Sequence, residues 1–193
     1  MNEPTIHDFD VSDNFARTQE PRADTLYHQV FGEDASIRRF RTRSRQKAGH
    51  DVEIRFGGTT ITIDEKFRDP KNLGVRDDFL VEEWSDRDRG VPGWTVDPAK
   101  TCDLWAYHNP AFLRLAILPA SLTRLAVVRA LPRWKTARPL LAENRGWTTV
   151  NWPVSWPTLI LELVSTMILC TTRIDSGPHE DQPLYRFCHI VRS

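Results

Sequence analysis

Two aspartates and a lysine, Asp51, Asp64 and Lys66, stand at spacings that could bring them together. Asp51 opens the stretch DVEIRF, Asp64 and Lys66 lie near the end of TTITIDEKFR, and Gly57-Gly58 separates the two. If the stretch is a hairpin, the carboxylate at the open end of one arm lies near a carboxylate and an ammonium at the open end of the other. Two carboxylates about 4 Å apart repel by roughly 4 kcal/mol at an effective dielectric near 20. Either one takes up a proton or a cation joins them. Oxygen ligands with waters left over suit Mg²⁺ or Mn²⁺. Such an ion polarises a phosphodiester, orients water and stabilises the leaving oxygen. A lysine one pleat along from Asp64 can position or help deprotonate that water and offset charge on the phosphate. The alternative is a salt-bridged surface hairpin without chemistry.

The elements that must position these residues follow from hydrophobic periodicity. Val52, Ile54 and Phe56 share one face of the first arm. In the second arm Ile61, Ile63 and Phe67 share a face, opposite Thr62, Asp64, Lys66 and Arg68. Glu65 then falls with Ile61 and Ile63, away from Lys66, which favours Asp64 over Glu65 as the acting acid. Gly-Gly between two such arms signals a tight turn with positive φ. A short helix is expected from Asp24, and a turn at Asp69-Pro70-Lys71-Asn72. Strands are expected over 78–85, 102–108, 112–118 and 147–152, and helices over 119–130 and 157–170. Residues 86–98 read as an exposed loop. The expected class is α/β (α+β), a central mixed β-sheet flanked by helices. The hairpin should lie within the sheet, and the helix near Pro119 should cover one face. Residues 1–20 read as a flexible segment, 21–170 as the domain and 171–193 as a tail of uncertain structure.

With 193 residues, 40% hydrophobic and 27% charged, the composition is that of a soluble globular protein. The odd number of cysteines (Cys102, Cys170 and Cys188) forms no CxxC pair, which argues against a disulfide framework or zinc site and fits a reducing cytoplasm. No stretch reads as a signal peptide or membrane span. Formal net charge is zero, so attraction to nucleic acid must come from a local patch. The stretch SIRRFRTRSRQK, 36–47, supplies one. In an extended segment Arg41, Arg43 and Arg45 share one side. Together with Arg68 they are expected to hold a nucleic-acid backbone, a solvated basic surface being the alternative. Glu83 on the third strand could also face the site. Trp147, Trp152 and Trp156 read as core; Trp84 and Trp94 could contact a partner. No Ser-His-Asp, P-loop or GxGxxG pattern is present.

The series His50-Asp51, then Asp64-Glu65-Lys66 across a turn, resembles the PD-(D/E)XK nuclease superfamily, the restriction-endonuclease-like fold. The approach Gln46-Lys47-Ala48-Gly49-His50-Asp51 is similar to phage-associated members. So are Val81-Glu82-Glu83-Trp84-Ser85 and Pro92-Gly93-Trp94 ahead of Asp103-Leu104-Trp105-Ala106-Tyr107. The resemblance covers roughly residues 24–156, with His50 standing where the superfamily name has proline. It implies a Mg²⁺- or Mn²⁺-dependent endonuclease acting on DNA, with Asp51, Asp64 and the main chain at Glu65 on the metal and Lys66 as the catalytic lysine. Many members add a glutamate from the first helix, a role the resemblance places on Glu33, with Asp24 behind it. A nuclease-like fold that only binds nucleic acid or protein is the alternative, and a homodimer remains open.

Overall fold

The structure, a computed structural model, describes residues 6–7, 9–69, 76–136, 138–144 and 146–174. Its elements begin with β1 (Ile6–His7), α1 (Phe9–Phe31), β2 (Ser36–Arg39), α2 (Arg43–Lys47), β3 (Val52–Phe56), β4 (Thr59–Phe67), β5 (Asp78–Asp86) and β6 (Val91–Pro92). They continue with β7 (Leu104–Asn109), β8 (Arg114–Pro119), α3 (Ala120–Trp134), β9 (Leu140–Asn144), β10 (Trp147–Ser155) and α4 (Trp156–Ile174). The class is mixed α and β.

The first sheet has the order β2-β3-β4-β7-β8. β2, β3 and β4 form an antiparallel meander, β7 pairs parallel to β4, and β8 returns antiparallel. The sheet is thus mixed, with the hairpin inside it. Val52 faces Ile63 and Phe56 faces Thr59. The two-residue turn closes with φ of 51° at Gly57 and 80° at Gly58, which glycine adopts without a Cβ penalty.

Strand alternation gives this sheet two apolar faces. Val52, Ile54, Ile63 and Ala106 pack with Ala23 and Tyr27 of α1. Trp105 and Tyr107 of β7 point the other way, into a second core with Phe79, Val81, Trp94, Val127, Trp152 and Leu159. α3 contributes Ala120, Val127 and Leu131 to that second core, so the helix after Pro119 does cover one face. The rest of the second core comes from a second sheet of order β1-β9-β10-β5-β6.

Several expectations are corrected. The strand beginning at Asp78 does not join the hairpin's sheet; it pairs with β10 and β6 in the second one. The crossover from β4 to the parallel β7 therefore runs through β5 and β6. The first helix does not begin near Asp24 but reaches back to Phe9, passing through an exposed Pro21. Residues 86–98 are not a plain exposed loop, since Val91–Pro92 pairs with β5 and Gly93, Trp94 and Thr95 are buried. The basic stretch is not continuously extended: 36–39 is strand and 43–47 is one helical turn. Most of the expected turn at 69–72, and the tail beyond 174, lie outside the described residues. Among the described residues no helix is long and apolar enough to cross a membrane.

Candidate active site

β3 begins one residue after Asp51, whereas β4 runs on past Ile63 to Phe67 alongside β7. This leaves a notch at the open end of the hairpin. The Asp51 N–H donates to the Ile63 carbonyl at 2.9 Å, and its side-chain Oδ2 accepts from the Glu65 N–H at 2.9 Å. The Asp51 carboxyl thus takes over the role a strand carbonyl would play, and it stands beside Asp64. Asp64 has no solvent exposure. Its Oδ1 is bound by the Lys66 ammonium, and Lys100 Nζ stands 3.8 Å from its Oδ2. Oδ2 itself has no hydrogen-bond partner. Lys66 Nζ is also 3.3 Å from the Glu65 carbonyl oxygen and 5.4 Å from the centre of the Trp94 ring.

The electrostatics follow from burial and like charges. Burial, opposed by Lys66 and reinforced by Asp64, pushes the Asp51 carboxyl up to about 7. Burial also works against the Asp64 carboxylate, but Lys66 and Lys100 outweigh it and hold that carboxyl below its ordinary value. Burial disfavours the Lys66 ammonium, yet Asp64 and Asp51 overcome this and raise it above the usual lysine range. Asp51 and Asp64 therefore titrate as a pair, with Lys66 charged beside them.

Glu82 of β5 is the acid that sequence reasoning missed. Burial pushes its carboxyl up to about 7 against the pull of Lys66 and Lys100, and the Asp64 charge adds to the rise. Its Oε1 accepts from the Trp94 N–H at 3.3 Å. The expected acid, Glu83, points to the other side, where it binds Lys135 and accepts from the Trp152 indole at 2.9 Å. Alternation could not separate the two, because Phe79, Leu80 and Val81 are buried on both faces of β5. Gly49, at φ of 79°, lies against the unpartnered oxygen: a Cβ there would sit 3.2 Å from Asp64 Oδ2.

Other expected residues are placed elsewhere. Glu33 is exposed in the turn before β2. Ser36 faces Arg55, four residues or about 13 Å along β3 from Asp51 at about 3.3 Å per residue, so Glu33 lies at the closed end of the hairpin, away from Asp51. Asp24 is bound to Arg39 on the α1 face. Arg68 is buried against Asp78 and the Tyr107 hydroxyl, so it ties β4 to β5 and cannot reach a phosphate. Arg41 is paired with Glu20 at 2.5 Å. Arg43 and Arg45 are exposed on α2, two residues apart on a helical turn, and so do not share one side. The Glu65 side chain faces α1, away from Lys66.

Among the described residues no group of three or more His, Cys, Asp or Glu side chains converges as a metal cage. What the notch offers is two carboxyls, one with a buried oxygen that makes no hydrogen bond, and a main-chain carbonyl. That all-oxygen, incomplete set fits a hard divalent cation that keeps waters of its own. No family model, curated protein or solved structure matches the chain.

Proposed function

We propose that the chain is a metal-dependent nuclease that hydrolyses phosphodiester bonds in DNA, on a restriction-endonuclease-like core. Asp64 Oδ2 carries this reading: a carboxylate oxygen with no exposure and no hydrogen bond, beside a second carboxyl. Leaving such a group unsatisfied destabilises a fold, and groups of this kind cluster at working sites. Mg²⁺ or Mn²⁺ would be held by Asp51, Asp64 and the Glu65 carbonyl. Once bound, the ion supplies Lewis-acid polarisation of the phosphodiester. Lys66, kept as an ammonium by the two carboxyls, acts as a donor to charge building on the phosphate rather than as a base. Trp94 and the second core close the site from one side and lower its dielectric. The series α1, β2, β3, β4 and the parallel β7 supports the likeness in fold.

Cations beside the notch support an anionic polymer as substrate. Arg38, Arg43, Arg45 and Lys47 make no ion pair among the described residues, and Arg38 and Arg45 both stack on Phe40, at 5.1 and 4.8 Å. Their segment is fastened to the site: Lys100 Nζ donates to the Gln46 carbonyl at 3.1 Å, and the Thr101 N–H to the Ala48 carbonyl at 2.9 Å.

The test is incubation of the purified chain with plasmid, linear and branched DNA in Mg²⁺, Mn²⁺ or EDTA. Cleavage should require the metal and fall by a factor on the order of 10²–10⁴ in Lys66→Ala, and as steeply in Asp64→Ala. Binding of DNA without cleavage under every condition would replace this reading with a binding module.

A further inference from the structure

On the opposite face of β4 from the notch, a second polar cluster is buried beneath α1. Glu65 is its centre, with its side chain 5% exposed. The Tyr27 hydroxyl donates to Glu65 Oε1 at 2.7 Å, and Arg39 binds both carboxylate oxygens. His108 Nε2 stands 3.7 Å from Oε1 and 3.3 Å from the Tyr27 oxygen. Arg39 is held in turn by Asp24 at 2.5 Å, and the His108 ring stacks on Phe67 with centroids 4.4 Å apart.

A carboxylate held by this many partners has almost no freedom, and Glu65 is one residue from both Asp64 and Lys66. Its own peptide groups point along the sheet plane into the notch. The N–H is the donor to Asp51 Oδ2, and the carbonyl is the group beside Lys66 Nζ. Fixing the Glu65 side chain on one face therefore also fixes the peptide donor that orients Asp51 and the carbonyl that faces the lysine. A network that served only to fasten α1 could have used Ile61, Ile63 or Phe67, which share that face of β4. This one grips the residue between the two site residues of the strand.

We propose that Glu65, Arg39, Tyr27 and His108 are positioning residues for the Asp51–Asp64–Lys66 site, acting through the Glu65 peptide. As a statement about catalysis this rests on the nuclease reading above; as a statement about Asp51 it stands on geometry alone. Outer partners that orient metal ligands typically change affinity by 10–100-fold when removed.

The experiment compares Tyr27→Phe, Arg39→Ala and Arg39→Lys with the packing control Phe56→Leu, which thins the same α1 core at the closed end of the hairpin. Amide exchange at Glu65 is followed by NMR without metal, and Mn²⁺ affinity by calorimetry, both well below the melting temperature. Tyr27→Phe and Arg39→Ala should lose exchange protection at the Glu65 amide beyond that of neighbouring β4 amides, and bind Mn²⁺ about 10-fold more weakly. Arg39→Lys should recover part of both, and Phe56→Leu should lose stability while leaving both near parent values. Parent-like Glu65 protection in Tyr27→Phe and Arg39→Ala would overturn the proposal. So would a Phe56→Leu variant that loses protection and affinity equally. If the parent itself binds no Mn²⁺, the nuclease reading fails, while the exchange measurement still decides whether the network orients Asp51.

Discussion

Glu82, like Asp51, makes the stability of the fold depend on pH. Its carboxyl is pushed up to about 7 in the folded chain, chiefly by burial, against an ordinary value of 4.5. The folded state therefore binds a proton that the unfolded state has released, and stability falls as pH rises from about 4.5 through 7. At roughly 1.4 kcal/mol per unit, the penalty above pH 7 is on the order of 3 kcal/mol. Glu82→Gln should thus raise stability to urea at about pH 8 and leave it nearly unchanged at about pH 5, in metal-free buffer. Equal effects at both pH values would mean that burial does not hold Glu82 neutral. The same corner contains a position where a single carbon is too much. A Cβ on Gly93 would overlap the Glu82 carbonyl oxygen, a backbone atom that cannot swing aside. Gly93→Ala should cost about 3 kcal/mol or more by forcing the segment off β5. It should also move Trp94 from Lys66, seen as a change in tryptophan emission. Gly90→Ala, with open space around its Cβ, should cost about 1 kcal/mol through its positive φ alone.

At the scale of elements, α2 and β2 carry a basic surface that keeps Arg43 and Arg45 of the expected set, with Arg38 and Lys47 beside them in place of Arg41 and Arg68. Arg41 is spent on Glu20 and Arg68 on Asp78, whereas Arg38, Arg43, Arg45 and Lys47 make no ion pair among the described residues. A triple Arg38, Arg43, Arg45→Ala variant should flatten the salt dependence of DNA binding by about 0.9 in log–log slope for each phosphate that is no longer neutralised. Its unfolding should change little because the three side chains lie at the surface. Binding with the parent's slope would place the DNA on another surface. The two halves of this site differ in how far the sequence announced them. The hairpin was readable because Val52, Ile54, Ile61 and Ile63 alternate with polar residues around Gly57-Gly58, a local pattern that fixes faces and register together. The same alternation put Asp64 with Lys66 and turned Glu65 away. Arg41, Arg43 and Arg45 alternate too, but no apolar residue in 41–47 is held by a core. The period-2 spacing there carried no information about backbone, and the chain made a helical turn. β5 failed for the opposite reason. Buried on both faces, it offers no alternation from which to choose Glu82 over Glu83, and its pairing with β10 spans a sequence distance that no local pattern encodes.

At the scale of the molecule, the site lies where two cores meet. β7 belongs to both: Ala106 packs under α1, while Trp105 and Tyr107 pack against the second sheet. The notch is assembled the same way. Asp51, Asp64 and Lys66 come from the hairpin. Glu82 comes from β5, and Lys100 and Trp94 come from the crossover between β6 and β7. A cation bound between Asp51 and Asp64 would offset repulsion inside the hairpin and strengthen the attraction of the notch for the carboxyl on β5. Binding to the folded state alone stabilises it by RT ln(1 + [L]/Kd), about 2.7 kcal/mol at one hundred times Kd. Because Glu82 of the second sheet and Trp94 border the notch, that stabilisation should reach both cores. Mn²⁺ should raise amide protection in β5 and β10 by the same factor as in β3 and β4, with one thermal transition moving upward as a unit, and EDTA should reverse the shift. Asp64→Asn should abolish the gain in both sheets together. Protection gained in β3 and β4 alone would show that the hairpin binds the ion without the second sheet, and that Glu82 and Trp94 are packing neighbours rather than part of the site.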